Sequence, residues 1–258
     1  MKHNKKVTCI IQARTDSQRL QNKVLEEIEG SPMISHIIRR VKLAKKIQQI
    51  ILATSDRESD RVLLKIAKEH EIIGFAGNEE DVLARFFEAA KKNNADPIIR
   101  ITGDCPLVDY KLIDDMVEIF ENSEYDYMSN TIERTFPDGL DVEIFSFDTL
   151  KQAHINAEWK SEREHVTPYI IKNKQIFSTF NYKSNNDFSS LRWSVDEKDD
   201  LIMIKQIFVK MKPEIIFSTE QVLKLIHDNP EIAEINNKIK TNEGYEKSLR
   251  NDKKIKSQ

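Results

Sequence analysis

The chain has 258 residues, 39% of them hydrophobic, which suffices for one large α/β domain. Its 40 basic and 43 acidic residues leave a formal net charge of -3, which excludes a general positive field that could hold a nucleic-acid backbone. The sequence contains no apolar stretch of roughly 18 residues, and its two cysteines form no metal-binding or disulfide pattern. We therefore expect a cytoplasmic protein without nucleic-acid or membrane partners, whose phosphate affinity is local.

The first half of the chain alternates short apolar runs with helical patterns. The first helix is predicted to begin with Ser31 as N-cap and Pro32 as first helical residue. Two further helices are predicted at residues 59–70 and 80–92. Such alternation indicates an α/β fold with a mostly parallel sheet and helices on both faces. Buried strands are predicted at residues 7–12, 49–54, 71–76 and 97–102.

Beyond Pro106 the pattern is mixed rather than strictly alternating. Helices are predicted at residues 111–121, 164–172, 198–211 and 219–227. Extended segments are predicted at residues 125–130, 140–147, 177–182 and 191–195. Residues 1–228 are interpreted as one domain, followed by a charged, solvated C-terminal helix or tail at residues 229–258.

The loop after the first strand carries three cations at spacings of five and four residues, namely Arg14, Arg19 and Lys23. In a parallel sheet, ligands gather outside the carboxyl ends of the strands. Arginine forks and a lysine point charge supply the converging donors that a triphosphate needs. A solvated basic loop is the alternative. The loop is not a Walker A motif, because it contains no glycine.

Two aspartates follow predicted strands. Asp104 comes after the fourth strand and next to Gly103, which would let the backbone approach a ligand. It suits Mg²⁺, which takes one or two carboxylates, or a turn before Pro106. Asp196 suits the same metal, or the cap of the helix that follows it. Together the two aspartates predict a split Mg²⁺ site.

Six short motifs occur along the chain, at residues 11–14, 19–20, 23–25, 53–56, 81–86 and 100–107. In combination they resemble the spore-coat polysaccharide biosynthesis protein F group of cytidylyltransferases, which is related to the CMP-Kdo and CMP-acylneuraminate synthetases. The resemblance covers roughly residues 6–210.

The resemblance implies a Rossmann-like mixed sheet of the nucleotide-diphospho-sugar transferase type. It also implies CTP as substrate, and attack of an acceptor oxygen on the α-phosphorus with loss of pyrophosphate. The implied catalytic residues are Arg14, Arg19, Lys23 and Asp104, and Mg²⁺ would be held by Asp104 and Asp196. The implied nucleotide-binding residues are Gln12, Ala13, Arg14, Ser17, Arg19, Lys23, Ser55, Thr102 and Gly103.

The resemblance further implies a division of labour and a partner. The nucleotide would bind to a part covering about residues 1–110, and residues 111–228 would bind the acceptor and form a homodimer. The acceptor would be a small acidic sugar or a similar molecule, activated for surface polysaccharide or glycoconjugate synthesis.

Two segments are implied to bind this acceptor. Glu164, His165 and Tyr169 lie in a segment similar to the place where CMP-Kdo synthetase contributes a histidine and a tyrosine to its sugar pocket. The spacing of four puts His165 and Tyr169 on one helix face, which also fits a buried core pair.

Residues 137–143 also match the group. Asp141 and Glu143 would share a strand face and accept hydrogen bonds from acceptor hydroxyls or an amine. A structural role in salt bridges, with Arg163 or Glu164 nearby, is the alternative.

The first loop departs from the group, which usually has a glycine near position 16 and Pro-Gly at positions 21 and 22. This chain has Asp16, Gln21 and Asn22 instead. An extra acid beside a triphosphate weakens binding unless it points away or engages a cation.

Three other functions remain open at this point. A sugar-nucleotide-dependent glycosyltransferase would be expected to carry an Asp-x-Asp motif after a strand, which is missing there. An inactive nucleotide-binding protein would be expected to lack one of the five charged residues proposed for the site, namely Arg14, Arg19, Lys23, Asp104 and Asp196. A nucleotidyltransferase acting on a phosphonate or sugar phosphate would differ only in its acceptor pocket.

Overall fold

The computed structural model describes residues 5–17, 19–240 and 243–255. The strands of this part of the chain are β1 (Lys6–Gln12), β2 (Glu27–Ile28), β3 (Ser31–Pro32), β4 (Gln49–Ser55), β5 (Ile73–Gly77), β6 (Ala95–Thr102), β7 (Tyr127–Ser129), β8 (Glu143–Phe145) and β9 (Thr179–Asn181).

The α-helices of the same residues are α1 (Met33–Val41), α2 (Arg61–Glu69), α3 (Val82–Asn93), α4 (Tyr110–Glu121), α5 (Phe147–Asn156), α6 (Lys160–His165), α7 (Pro168–Lys172), α8 (Lys198–Lys210), α9 (Thr219–Asp228), α10 (Glu231–Glu234) and α11 (Glu243–Arg250). Short 3₁₀ turns cover Lys23–Leu25 and Glu58–Asp60. None of the helices in the described ranges is both long and apolar enough to cross a membrane.

Seven strands form one mixed sheet in the order β5-β4-β1-β6-β8-β7-β9, and β2 pairs with β3 separately. Strands β5, β4, β1 and β6 are parallel neighbours, whereas β8 runs antiparallel to both β6 and β7. The predicted α/β fold with a mostly parallel sheet is confirmed. Because β4 and β6 flank β1, the strand order reverses at β1, and the ends of β1 and β6 form the crevice where such sheets bind ligands.

The sheet is buried on both faces because its central strands are continuously apolar. Along β1, Cys9 and Ile11 pack against one cluster of helices, and Ile10 between them packs against the other. This alternation follows from the two-residue period of a strand. Helices α1, α4 and α8 contribute to the first cluster, and α3 and α5 contribute to the second. The strand ends that carry the polar motifs are thereby held rigidly.

Some predicted boundaries are wrong. Helix α1 begins at Met33, one residue after the predicted start, and Ser31 pairs in β3 and accepts hydrogen bonds from Arg39 instead of capping the helix. The predicted strand at residues 191–195 is reduced to one parallel bridge between Arg192 and Asp138. The reason is that residues 193–195 bond instead to loop backbone, as in the bond from Val195 N to Asp104 O at 2.8 Å.

The predicted helix at residues 164–172 is also wrong, because it is two helices. Helix α6 ends at His165, Val166 adopts a φ of 73°, and α7 begins at Pro168. A proline lacks the N–H that a continuous helix needs and is favoured in the first turn of a helix, where Pro168 stands in α7. His165 and Tyr169 are therefore not on one helix face.

Candidate functional site

A cleft of about 810 Å³ opens at the carboxyl ends of β1 and β6. Gly103 allows these two strand ends to approach, because a Cβ at this position would lie 2.8 Å from the Cβ of Ala13 and 2.9 Å from the oxygen of Gln12. Its N–H donates to that oxygen at 2.7 Å. The predicted nucleotide residues that line the cleft are Gln12, Ala13, Arg14, Ser17, Arg19, Lys23, Thr102 and Gly103.

The loop after β1 is held by Asp60, which the sequence analysis missed. Asp60 accepts hydrogen bonds from the backbone N and hydroxyl of Thr15 at 2.8 and 2.6 Å, and the Ser55 hydroxyl donates to its other oxygen. Burial by itself raises the pKa of Asp60, but these hydrogen bonds outweigh it and hold the pKa below its ordinary value. Ser55, predicted to line the nucleoside, does not line the cleft and fixes the loop through Asp60.

Two of the three departures in this loop, Asn22 and Asp16, have structural explanations. Asn22 adopts a left-handed φ of 54°, and its N–H donates to the oxygen of Thr15 at 3.0 Å. Asparagine tolerates this conformation better than other non-glycine residues, so it replaces the glycine of the related group. Asp16 is paired with Arg57 at 2.8 Å. The extra acid therefore engages a cation of its own chain.

Lys23 joins the two predicted metal ligands. Its Nζ lies 3.0 Å from Asp104 Oδ2 and 2.7 Å from Asp196 Oδ1. Burial lowers the pKa of Lys23, but the two carboxylates outweigh that effect and raise it. Burial likewise raises the pKa of Asp104, while Lys23 and the Thr102 hydroxyl hold it well below its ordinary value. Lys23 and Asp104 are therefore both charged at neutral pH.

Arg192 holds Asp196 in place and was also missed by the sequence analysis. It donates to Asp138 and Asp196, both at 2.9 Å, and binds Asp200 through two nitrogens at 2.9 and 3.1 Å. Asp200 in turn accepts from the backbone N–H groups of Asp196 and Glu197, both at 2.9 Å. Asp200, rather than Asp196, thus satisfies the start of α8, which leaves Asp196 oriented toward the cleft.

The carboxylates of Asp104 and Asp196 fit a Mg²⁺ ion. Both lie within 3.0 Å of one nitrogen, so a single cation can contact both. Among the residues that the structure describes, no group of three or more His, Cys, Asp or Glu side chains could hold a metal. Two carboxylates suffice for Mg²⁺, which commonly completes its shell with substrate phosphates and water.

The two arginines of the loop differ in their contacts. Arg19 pairs with Asp196 at 3.0 Å, with Glu197 at 3.6 Å and with Glu243 of α11 at 3.7 Å. Arg14 is exposed and also lines the cleft. Three cations and two carboxylates thus meet at one end of the sheet.

The predicted acceptor residues on α6 and α7 are separated by the break at Val166. Glu164 and His165 line the cleft, but Tyr169 does not; its ring packs on Phe177 with centroids 6.2 Å apart. Burial lowers the pKa of His165, whose Nε2 lies 3.0 Å from the Ser248 hydroxyl. The structure brings two of these three residues to the site.

Asp141 and Glu143 lie outside the residues that line the cleft. Asp141 precedes β8 and forms a two-pronged pair with Arg134 at 2.5 and 2.8 Å. Glu143 is buried, pairs with Arg100, and accepts hydrogen bonds from Tyr127 and Thr167, both at 2.6 Å. These contacts favour the alternative of structural salt bridges. The partners are not those named above, because Arg163 pairs with Asp81.

Arg85 is a further polar group near the cleft. Its side chain is buried, and its Nε and Nη2 have no hydrogen-bond partner, while Nη1 donates to the oxygen of Asn78 at 3.0 Å. Burial first, and then the nearby charge of Arg14, lowers the pKa of Arg85 to about 10. Buried donors without partners are uncommon in proteins. This arginine belongs to the motif at residues 81–86 but does not line the cleft.

The cleft is completed by α11, in the region predicted as a solvated helix or tail. Five residues from this region line it, namely Glu243, Gly244, Lys247, Ser248 and Asn251. Residues 241, 242 and 256–258 of the predicted tail lie outside the described residues. The prediction of a helix is correct for α11, but the helix borders the site.

Comparisons with known proteins agree with this geometry. A family model described as cytidylyltransferase matches residues 8–249. The chain is 30% identical over 236 residues to the spore coat polysaccharide biosynthesis protein SpsF of Bacillus subtilis, a match that covers 88% of this chain and 96% of that protein.

Solved structures give the same result. A cytidylyltransferase from Leptospira borgpetersenii is 31% identical, with a TM-score of 0.86, over 89% of this chain and 97% of that one. The CMP:2-keto-3-deoxy-manno-octonic acid synthetase complexed with CTP is 16% identical, with a TM-score of 0.62, over 80% of this chain and 99% of that one. The second likeness concerns the fold alone. The resemblance inferred from the sequence motifs is confirmed.

Proposed function

Because this chain belongs to the cytidylyltransferase family, and is therefore a CTP-dependent nucleotidyltransferase, we propose that it transfers CMP from CTP to an acidic sugar or a similar acceptor. Pyrophosphate is the other product. The name of the Bacillus subtilis relative supports a place in the synthesis of surface polysaccharide or glycoconjugate precursors.

The observation that carries this proposal is the contact of Lys23 with both Asp104 and Asp196 in the cleft. The three groups come from a loop, a strand end and the segment before α8, so the fold itself gathers them. The arrangement provides cations for phosphate oxygens and carboxylates for a metal at one place. Reaction at the α-phosphorus needs both kinds of group.

The cations are assigned to the triphosphate. Arg14, Arg19 and Lys23 bind its oxygens and stabilise the negative charge that develops on the departing pyrophosphate. Asp196 pairs with both Arg19 and Lys23, which places their charges at the strand ends.

Asp104 and Asp196 are assigned to Mg²⁺. When bound, the ion supplies Lewis-acid stabilisation of phosphate oxygens. Thr102 and Cys105 support Asp104, and Arg192 supports Asp196, so both carboxylates are held by neighbouring side chains.

Direct transfer to the acceptor needs no covalent enzyme intermediate. Cys105, next to Asp104, is a candidate nucleophile because of its thiol. Burial raises the pKa of its thiol well above the ordinary value, so the thiolate is not available at neutral pH. Cys105 is therefore assigned a structural role in the loop.

The proposal includes the division of labour expected from the sequence. Residues of about 1–110 bind the nucleotide, residues 111–228 form the acceptor and dimer part, and the chain is a homodimer. Light scattering of the purified protein tests the last point, with a mass of twice 30.1 kDa expected. A mass of 30.1 kDa would contradict it.

A pyrophosphate-release assay tests the function. Each of the four nucleoside triphosphates is combined with Mg²⁺ and with 2-keto-3-deoxy sugar acids, sialic-type acids, aminophosphonates or sugar phosphates. Release is expected with CTP and a sugar acid. Release with an aminophosphonate or a sugar phosphate alone would favour the alternative nucleotidyltransferase, and preference for another nucleotide would contradict the proposal.

A further inference from the structure

Helix α11 has no buried residue, so the hydrophobic core does not hold it. An isolated helix of eight residues is not stable in water, and its position must come from specific contacts. The residues that follow it provide them. Asp252 accepts hydrogen bonds from the backbone N and hydroxyl of Ser161 at 2.9 and 2.6 Å. Lys160 N donates to Lys253 O at 2.9 Å, and Ile255 N donates to Glu158 O at 2.7 Å.

The helix itself contacts two cleft residues of α6. His165 Nε2 lies 3.0 Å from the Ser248 hydroxyl, and the His165 ring meets the Tyr245 ring edge to face, with centroids 5.0 Å apart. The Ser248 hydroxyl also donates to Glu164 at 3.3 Å. Helix α11 is thus joined to the side of the cleft that carries the two acceptor candidates.

The residues of α11 and its following turn that line the cleft have helical spacing. Gly244, Lys247, Ser248 and Asn251 stand at positions i, i+3, i+4 and i+7, so they share one face. This face offers an ammonium, a hydroxyl and an amide. The start of α11 lies beside Arg19, which pairs with Glu243 at 3.7 Å, whereas Ser248, further along the helix, contacts Glu164 and His165.

We infer that this face of α11 is the acceptor-binding wall, and that Lys247 binds the anionic group of the acceptor. The inference rests on the proposed function and identifies the acceptor as an acid with hydroxyl groups. An ammonium suits a carboxylate, and the amide oxygen of Asn251 suits a sugar hydroxyl as hydrogen-bond acceptor. Glu164 and His165 complete the acceptor pocket from the opposite helix.

The test separates acceptor binding from turnover. Calorimetry measures the binding of a 2-keto-3-deoxy sugar acid to the full chain in the presence of Mg²⁺ and the α,β-methylene analogue of CTP, which does not react. Lys247→Ala is expected to raise the Kd for the sugar acid about 10- to 100-fold, the range for a lost charge-assisted hydrogen bond. Lys247→Arg is expected to restore most of the affinity.

Arg250→Ala is the matched control, because Arg250 is a cation of the same helix that does not line the cleft. The Kd for the sugar acid is expected to stay unchanged in this variant, and the Kd for the CTP analogue is expected to stay unchanged in all three. Asp252→Ala, which removes the contacts to Ser161, is expected to weaken sugar-acid binding without removing Lys247.

Two results would overturn the inference. One is an equal Kd for the sugar acid in the wild type and Lys247→Ala, including the absence of binding in both. The other is that Lys247→Ala loses affinity for the CTP analogue and not for the sugar acid, which would assign Lys247 to the nucleotide. Failure of the proposed function would give a different result, namely binding of both ligands without pyrophosphate release from CTP.

Discussion

Lys23 contacts Asp196, a residue 173 positions later in the chain, at 2.7 Å. The same Lys23 nitrogen contacts Asp104 at 3.0 Å, so one ammonium attracts two carboxylates that would otherwise repel each other. Lys23 thus lies between the two carboxylates that are proposed to hold Mg²⁺. The contact connects the phosphate-binding loop with the metal ligands.

The two carboxylates are expected to be essential. Asp104→Asn and Asp196→Asn each remove a negative charge from the proposed metal site, and kcat/KM is expected to fall by about 100-fold or more. Steady-state kinetics measures this loss, and circular dichroism checks that the variants remain folded. Asp199→Asn, at an exposed acid in the first turn of α8, serves as the control with normal activity expected. Near-normal activity in both site variants would refute the metal assignment.

Lys23 is expected to act mainly on the nucleotide. Lys23→Ala removes a charge-assisted contact to phosphate, so the KM for CTP is expected to rise about 10- to 100-fold. Initial rates over a range of CTP concentrations measure it. Lys205→Ala is the control, because Lys205 is half exposed and pairs only distantly with Glu26, at 3.6 Å. A KM for CTP that is the same in both variants would count against the phosphate role.

Arg192 is expected to be important for stability. Its side chain is 5% exposed and pairs with Asp138, Asp196 and Asp200, of which Asp200 is fully buried. Arg192→Met leaves buried carboxylates without their cation and is expected to lower the free energy of unfolding by about 3–5 kcal/mol. Urea denaturation measures this loss.

Lys224→Met provides the comparison for that measurement. The pair of Lys224 with Asp228 is exposed, and its loss is expected to cost less than about 1 kcal/mol. A similar, small effect for both substitutions would show that the Arg192 network does not hold the site together.

His36 is expected to make stability depend on pH. Burial, together with the charges of Arg39 and Arg40, lowers the pKa of His36 despite its 2.8 Å hydrogen bond to Ile28 O. Below the ordinary pKa of 6.5, the unfolded chain binds a proton at this residue more readily than the folded chain does. The stabilising contribution is therefore present above pH 6.5 and is lost as the pH falls through the lowered pKa.

Thermal denaturation at pH 7.5 and pH 5.5 measures this dependence. His36→Gln keeps a donor for Ile28 O but does not titrate, so its loss of Tm between the two pH values is expected to be smaller than that of the wild type. His227→Gln, at an exposed histidine, is expected to behave like the wild type. Equal losses in the wild type and His36→Gln would disprove the role of His36.

Much of the site was predictable because its residues lie at the ends of apolar strands. Short apolar runs mark β1, β4 and β6, and parallel strands bring their carboxyl ends to one edge. That rule predicted that the loop cations and Asp104 lie close together. Asp196 was predicted because it is an acid that follows an apolar run, although the strand predicted at residues 191–195 does not form. The backbone bond of Val195 to Asp104 brings Asp196 to the same edge of the sheet.

Other features depend on contacts between distant residues that no local pattern reveals. The bond between Arg192 and Asp138 spans 54 positions, and the bond between Ser161 and Asp252 spans 91. The break at Val166 had a local signal in Pro168, which the spacing of His165 and Tyr169 obscured. Helix α11 has the polar composition of a solvated helix, because it faces a cleft rather than the core.

The transfer of CMP can be followed with the α-phosphate of CTP. The wild-type protein is incubated with Mg²⁺, a 2-keto-3-deoxy sugar acid and CTP labelled at the α-phosphorus. The label is expected to appear in a product that joins CMP to the acceptor, with one pyrophosphate released per product. Label that remains in CDP, in free CMP or in unreacted CTP, with no labelled acceptor formed from any sugar acid, would contradict the account.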